Sequence, residues 1–389
     1  MNASDLSPSD DYPIHQVPEV LRHVGTSDRN FYDRYYFNCA PRLDGAAGPM
    51  FLIIGMGQYP NLGVADAFAV LRRGDDHLVA RASKALGADR MDTSVGPFRI
   101  EVIEGLRALR VVLAPSEDTP DLSFDLTFTA AAPARLESRH FDRTLGRVTF
   151  DTQRFVQAGS WRGHLIVDGG SIAVTDEMWI GNRDRSWGVR PVGEPEPPGR
   201  RAAETAEPSC FFWIYAVLQF DDAVIITIMQ EDARGRRIVE DATRVWRDPA
   251  REPEHLGRPE HALTFHPGGR EVSRAVLTFH RPLPEGGTRE ALRVECTPVL
   301  ANYIGVGTGY GLEQDWRHGM WQGALAVQQL RQPASSIEDW KRMFCPIDNL
   351  ARCTLTEDGR TSTGEGLFEV AVIGAYPRYG FDDIGAVAP

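Results

Sequence analysis

Hydrophobic and polar positions alternate with a period of two along most of this chain. Phe124, Leu126 and Phe128 alternate with Asp125, Thr127 and Thr129, and Phe98, Ile100 and Val102 alternate with Arg99 and Glu101. Such alternation places apolar side chains on one face of a half-buried strand. The run 211–220 reads as a nearly continuous apolar strand, Asp221-Asp222 offers a turn, and 224–229 returns. Asp358-Gly359 plays the same part between 354–356 and 367–373. Helical periodicity is confined to 336–344, where Ser335 or Ser336 can cap and Ile337, Trp340 and Phe344 form one stripe. Many short sequential strands predict an all-β protein built of antiparallel barrels or sandwiches.

One stretch interrupts the alternation. Positions 192–208 are rich in proline and charge and carry no apolar periodicity, so they read as a linker or exposed excursion. The expected organisation is an N-terminal β domain over 1–195, a linker over 196–208 and a C-terminal β domain over 209–389.

Composition removes several function classes. With 42% hydrophobic and 25% charged residues, the 389-residue chain is globular, and 37 Gly with 26 Pro suit a turn-rich β protein. A net charge of −12 argues against nucleic acid as a partner. No window approaches the ~18 uninterrupted apolar residues of a membrane span. The acidic, Ser-rich start lacks the pattern of a signal peptide, so a cytoplasmic setting is expected, with Cys39, Cys210, Cys296, Cys345 and Cys353 as reduced thiols. Lys84 and Lys341 are the only lysines, which disfavours Schiff-base chemistry.

Familiar cofactor motifs are missing too. There is no Gly-x-x-x-x-Gly-Lys-Ser/Thr loop, no Gly-x-Ser-x-Gly elbow and no His-Glu-x-x-His helix. The run Gly305-Val306-Gly307-Thr308-Gly309-Tyr310-Gly311 fails the dinucleotide fingerprint, and His261 and His266 are five apart, a poor spacing for a metal pair. The chemistry is therefore expected to use no cofactor and no metal.

Three segments concentrate candidate chemistry. Asp168-Gly169-Gly170-Ser171 predicts a hairpin with Gly169 and Gly170 as its loop, Val167 facing Ile172, Leu165 facing Val174 and Trp161 facing Met178. The other side then carries Arg162 opposite Glu177 and His164 opposite Thr175. That side is either an exposed face with an ion pair worth under ~1 kcal/mol, or a barrel lining whose desolvated groups move protons. Next comes Trp179-Ile180-Gly181-Asn182-Arg183-Asp184-Arg185-Ser186-Trp187-Gly188-Val189-Arg190-Pro191. Its carboxylate between two arginines should be held ionised, as a functional group or as a buried cluster pinning a strand end. The third segment runs from Tyr310 to Gly323 and holds Trp316, His318 and Trp321. His318 there is a candidate acid or base, or else a structural histidine.

These segments resemble a known superfamily. Asp184-Arg185-Ser186-Trp187-Gly188 at the end of the first half resembles the AttH-like and carotenoid 1,2-hydratase-like (hydroxyneurosporene synthase) superfamily. So do Phe31-Tyr32-Asp33-Arg34-Tyr35-Tyr36-Phe37-Asn38, Tyr59-Pro60-Asn61-Leu62-Gly63, Asp315-Trp316-Arg317-His318-Gly319-Met320-Trp321 and Gly364-Glu365-Gly366-Leu367-Phe368-Glu369. The resemblance implies two lipocalin-like β-barrels in tandem and cofactor-free chemistry on large hydrophobic molecules, as in carotenoid hydratases, kievitone hydratase-like enzymes and fungal pericyclases. The pattern around Asp184 looks closest to a bacterial branch not tied to one reaction, so the hydratases' mechanistic residues are not carried over.

The function expected from residues and resemblance together is a lyase, hydratase or isomerase acting on an isoprenoid, polyketide or aromatic substrate. Asp184, Glu177 and His164 are the candidate proton-transfer groups, with His318 in reserve from the second half. Trp179, Trp187, Trp316 and Trp321 could offer π faces to a developing cation, Tyr310 could contact the substrate, and Arg183 and Arg185 would orient Asp184 or grip a substrate oxygen. The rivals are a carrier of one apolar ligand and a catalyst that folds a polyene for cyclisation. The expected partner is a hydrophobic small molecule, with a homodimer left open. Whether the cavity lies inside one barrel or between the two is also open.

Overall fold

Strands that bury both faces set the architecture. The computed structural model describes residues 6–191, 210–281 and 292–389. In order, the strands of the first half are β1 (Phe31–Pro41), β2 (Met50–Tyr59), β3 (Val64–Arg73), β4 (Asp76–Ala85), β5 (Ser94–Val95), β6 (Phe98–Glu104), β7 (Ala108–Leu113), β8 (Leu122–Ala130), β9 (Arg135–Leu136), β10 (His140–Thr144), β11 (Arg147–Val167), β12 (Gly170–Val174) and β13 (Trp179–Val189). The second half adds β14 (Cys210–Gln219), β15 (Ala223–Glu231), β16 (Arg237–Trp246), β17 (Glu254–His255), β18 (Arg258–Phe265), β19 (Val272–His280), β20 (Leu292–Asn302), β21 (Leu325–Pro333), β22 (Ile347–Glu357) and β23 (Arg360–Gly374). All pair antiparallel, in two curled sheets that match the expected tandem lipocalin-like class. The expected linker over 196–208 lies outside the described residues.

Three apolar cores follow from strand parity. The first sheet wraps around Leu52, Ile54, Phe98, Phe128 and Trp161. The second wraps around Phe212, Ile214, Phe279 and Phe368. The third lies between the sheets, where Phe51, Ile53, Phe68 and Val70 meet Trp213, Tyr215, Val217 and Leu367. β14 shows the consequence: its even positions enter the second sheet's own core and its odd positions enter the shared one. Two buried faces leave no polar set to alternate, which is why its sequence is a continuous apolar run.

The halves of the chain are interlocked. β21, from the second half, pairs with β4 at the edge of the first sheet, from Leu325 opposite Lys84 to Pro333 opposite Asp76. Arg331 on β21 reaches Asp76 (2.8–2.9 Å), Asp121 (3.5 Å) and Asp168 (2.5 and 3.1 Å), stapling the added strand to three other parts of the sheet.

Two local expectations are corrected. The hairpin turn uses Asp168 (φ 52°) and Gly169 (φ 75°) rather than the two glycines. Asp tolerates the left-handed region, and Arg331 holds its carboxylate there. The register becomes Val167 opposite Gly170 and Leu165 opposite Ile172, a slide of two that leaves each residue on its expected face. The predicted helix is reduced to a 3₁₀ turn at Ala334–Ser336 and one helical turn at Asp339–Met343, with Ile337 buried and Trp340 half exposed. No helix among the described residues is long and apolar enough to cross a membrane.

Candidate active site

The cavity lies between the two sheets, with a volume of about 510 Å³, inside the ~300–1,000 Å³ span of small-molecule sites. β1, β11 and β13 form one wall, and β14, β15 and β23 the other. The loop after β20 and the segment around Glu137 close the sides.

Register arranges the polar groups in rows. On the first sheet, Arg34 lies opposite Ser186, which lies opposite Arg154; one step along, Tyr36 lies opposite Asp184. On the facing sheet, Asp348 lies opposite Glu369, which lies opposite Tyr215, and Trp213 occupies the next step. Asp184 and Glu369 therefore approach one space from opposite sheets, and the Asp184 carboxylate helps to raise Glu369.

Four carboxyls share this dry region. Glu369 is pushed well above the usual range by burial and by Asp348 beside it, with Arg154 opposing. The buried Trp213 N–H has no well-formed hydrogen bond, but it lies close enough to oppose the rise as well. Asp348 is pushed up to about 7 by burial, although the Tyr36 hydroxyl donates to it at 2.6 Å. Glu137 is raised by burial, against Arg154, whose Nε donates at 2.6 Å, and Tyr215, whose hydroxyl donates at 3.0 Å. Asp184, 8% exposed, is also raised by burial, but Arg154, Arg34, Arg190 and Arg183 all pull it back. Among the described residues nothing hydrogen-bonds its carboxylate.

The loop that carries His318 sets the far side. Arg34 Nη1 donates to His318 Nδ1 at 2.7 Å, and His318 Nε2 donates to the Thr308 carbonyl at 3.0 Å. Burial, reinforced by Arg34 and Arg190, holds this imidazole neutral. Phe68 stacks on it at 5.7 Å and Tyr310 meets it edge-on at 4.4 Å. The glycine run has its explanation here. Gly309 takes φ 102°, and a Cβ there would sit 2.8 Å from the His318 ring.

The structure brings three sequence-predicted residues to the cavity: Asp184, His318 and Tyr310. It does not gather the rest. Alternation along β13 turns Arg183 and Arg185 to the opposite face from Asp184. Arg183 donates to Gln157 (2.8 and 3.0 Å) over the Phe155 ring, and Arg185 pairs with Asp33 over Tyr35. The arginines that share the cavity with Asp184 are instead Arg34 of β1, Arg154 of β11 and Arg190 just past the end of β13. Trp179 is in the first sheet's core, Trp187 is 37% exposed against Phe155, Trp316 lies under Arg81 (4.2 Å), and Trp321 is 57% exposed. Glu177 and His164 are exposed. His164 lies opposite Asp125 and Ala173, and Glu177 sits in the turn after β12, so the expected Arg162–Glu177 and His164–Thr175 pairs do not form.

Sequence reasoning passed over Glu369, Asp348, Tyr36, Arg34, Arg154, Glu137 and Trp213 as chemistry. A signal was present at Glu369, the one acid in the otherwise apolar run Leu367-Phe368-Glu369-Val370-Ala371-Val372-Ile373.

The chain belongs to a family of unknown function, DUF8625, whose model matches residues 6–382. No curated protein matches the sequence. Among solved structures, a putative AttH from Nitrosomonas europaea is 12% identical with a TM-score of 0.51, over 88% of this chain and 92% of that one. Kievitone hydratase from Nectria haematococca is 13% identical with a TM-score of 0.46, over 87% and 88%. The likeness to the AttH protein is one of fold, and it agrees with the tandem lipocalin-like architecture expected from the motifs.

Proposed function

We propose that this DUF8625 protein is a cofactor-independent lyase of the hydratase type, or an isomerase, acting on a large hydrophobic molecule held between its two sheets. The observation that carries this reading is the pair Glu369 and Asp184, two carboxyls aimed at one cavity from environments that push them apart. Glu369, next to Asp348, keeps its proton and serves as the acid. Asp184, ringed by guanidinium groups, is the one more readily ionised and serves as the base. Unequal acids in one site are the usual basis of acid–base division of labour.

In hydration, Asp184 takes a proton from water as the water oxygen bonds to one alkene carbon, and Glu369 gives its proton to the other carbon. Dehydration reverses both transfers. In isomerisation, Asp184 removes a proton from one carbon and Glu369 supplies one to another. His318, neutral and bonded at both nitrogens, holds Arg34 rather than shuttling protons. Trp213, Phe211 and Tyr32 supply the apolar walls that the four predicted tryptophans do not. The five cysteines are free thiols, in keeping with a reducing cytoplasm.

The test uses the whole chain in deuterated, ¹⁸O-labelled water with a panel of aryl enones, isoprenoids and polyketide fragments, read by mass spectrometry. Label should enter at least one compound and fall by roughly 10²-fold or more in Glu369→Gln and in Asp184→Asn. Unchanged labelling in both variants would overturn the assignment. Tight binding without labelling anywhere in the panel would make the protein a carrier.

A further inference from the structure

Arg34 is a buried cation that no carboxylate among the described residues touches directly. It is 4% exposed and lines the cavity. Its guanidinium bonds the neutral His318 ring, and among the described residues no carboxylate comes within ion-pairing distance. Asp66, whose charge it feels, is engaged elsewhere, accepting from the Gly319 N–H at 2.7 Å and the Tyr59 hydroxyl at 3.3 Å. Arg154, on the same row, makes the contrast, because Glu137 neutralises it directly. Burying a charge with no counter-ion in contact is unfavourable, and a ligand anion can offset that.

The surroundings fit that role. His318 is fixed by Thr308, Phe68 and Tyr310, so the fork of Arg34 is held in one orientation. A second cation, Arg190, also lines the cavity, with a buried Nε that finds no partner. Apolar rings of Phe211, Trp213 and Phe150 border the same space.

We propose that the ligand of this cavity is a hydrophobic carboxylic acid whose carboxylate docks on the Arg34 fork while its apolar body lies against the aromatic walls. The inference rests on the reading of this cavity as the substrate site and adds the substrate's charge to it. Planar, two-pronged recognition of carboxylate is what a fixed guanidinium supplies and a hydroxyl or amide does not. It also places the negative charge near Asp184 and Glu369, where an acid–base reaction beside a carboxylate would run. His318 is a positioning residue in this scheme.

The experiment is isothermal titration of the full chain with 2-naphthoate and with 2-naphthamide, its neutral match, at pH 7.5. Naphthoate should bind at least tenfold more tightly to the wild type. Arg34→Gln should weaken naphthoate more than tenfold and leave naphthamide unchanged, with near-ultraviolet circular dichroism confirming the fold. Arg34→Lys, which keeps the charge and loses the fork, should fall between. Equal binding of acid and amide by the wild type overturns the inference without any variant. So does a preference retained in folded Arg34→Gln, and so does the absence of naphthoate binding at millimolar concentration. These readouts measure binding alone. An assignment of turnover that fails leaves them standing, and a failure here leaves the labelling by Glu369 and Asp184 intact.

Discussion

Glu369 and Glu231 are both glutamates in strands of the second sheet, and they have opposite lives. Glu231, at the end of β15, accepts from His261 Nε2 at 3.1 Å and from the Tyr376 hydroxyl, and it forms an ion pair with Arg237 Nε at 2.8 Å. His261 is braced in turn by the Tyr379 hydroxyl at 2.7 Å, and Phe212 stacks on both His261 and Tyr376. Burial alone would raise Glu231, but these partners outweigh it and its pKa is lowered. Glu369 has a carboxyl neighbour where Glu231 has cations and donors, and it is raised well above the usual range. Saturating a buried acid with donors makes a structural clamp. Leaving it short of donors beside another acid, on the wall of a cavity, makes a proton source.

The largest expected effect separates the two sites by activity. Glu369→Gln should lower turnover by about 10²–10⁴-fold while leaving the urea midpoint unchanged or higher, since it removes a carboxyl that burial disfavours. A stability loss with retained turnover would erase the contrast. Glu231→Gln should do the reverse, costing about 3–5 kcal/mol in urea unfolding because Arg237 and His261 are left buried without their anion, with turnover per folded molecule preserved.

The pH dependence of stability should differ in sign as well. Asp348 has an ordinary pKa of 3.8 and a folded value of about 7, so between these values the folded chain holds a proton the unfolded chain has lost. Its contribution is fully present below pH 3.8 and is lost as pH rises through about 7; Asp348→Asn should flatten that decline. Glu231 is lowered, so its contribution is present above its ordinary value of 4.5 and is lost as pH falls through the folded pKa. Glu231→Gln should therefore shrink the acid-side loss alone, as read from unfolding midpoints across pH. The smallest effect belongs to the surface: Arg331→Gln should cost under about 1 kcal/mol, because its three carboxylate contacts are largely solvated. A larger loss would mean that half-exposed staples rival the Glu231 clamp.

The strands were legible because burial writes period two into sequence, and the long apolar run of β14 was legible as a strand. The site was harder to read for the same geometric reason. Neighbours in sequence along a strand face opposite ways, so the flanking arginines that made Asp184 conspicuous are the ones it does not face. Its actual companions, Arg34, Arg154 and Glu369, come from three other strands and meet it only through cross-strand register and sheet-on-sheet stacking. Nothing local to β13 names them. His318 was conspicuous for its setting among Trp and Gly, and it does reach the cavity, but its neutrality comes from burial reinforced by Arg34, 284 positions away.

β21 has a consequence for the order in which the molecule is made. On the ribosome, every other strand of the first sheet among the described residues precedes residue 190, yet the edge of β4 waits for residues 325–333. Through the synthesis of well over a hundred further residues, the nascent first half carries a bare strand edge, an invitation to pairing with neighbouring chains. A transcript cut short before β21 should therefore yield aggregates rather than a free-standing domain, and supplying a 325–333 peptide in trans should rescue it.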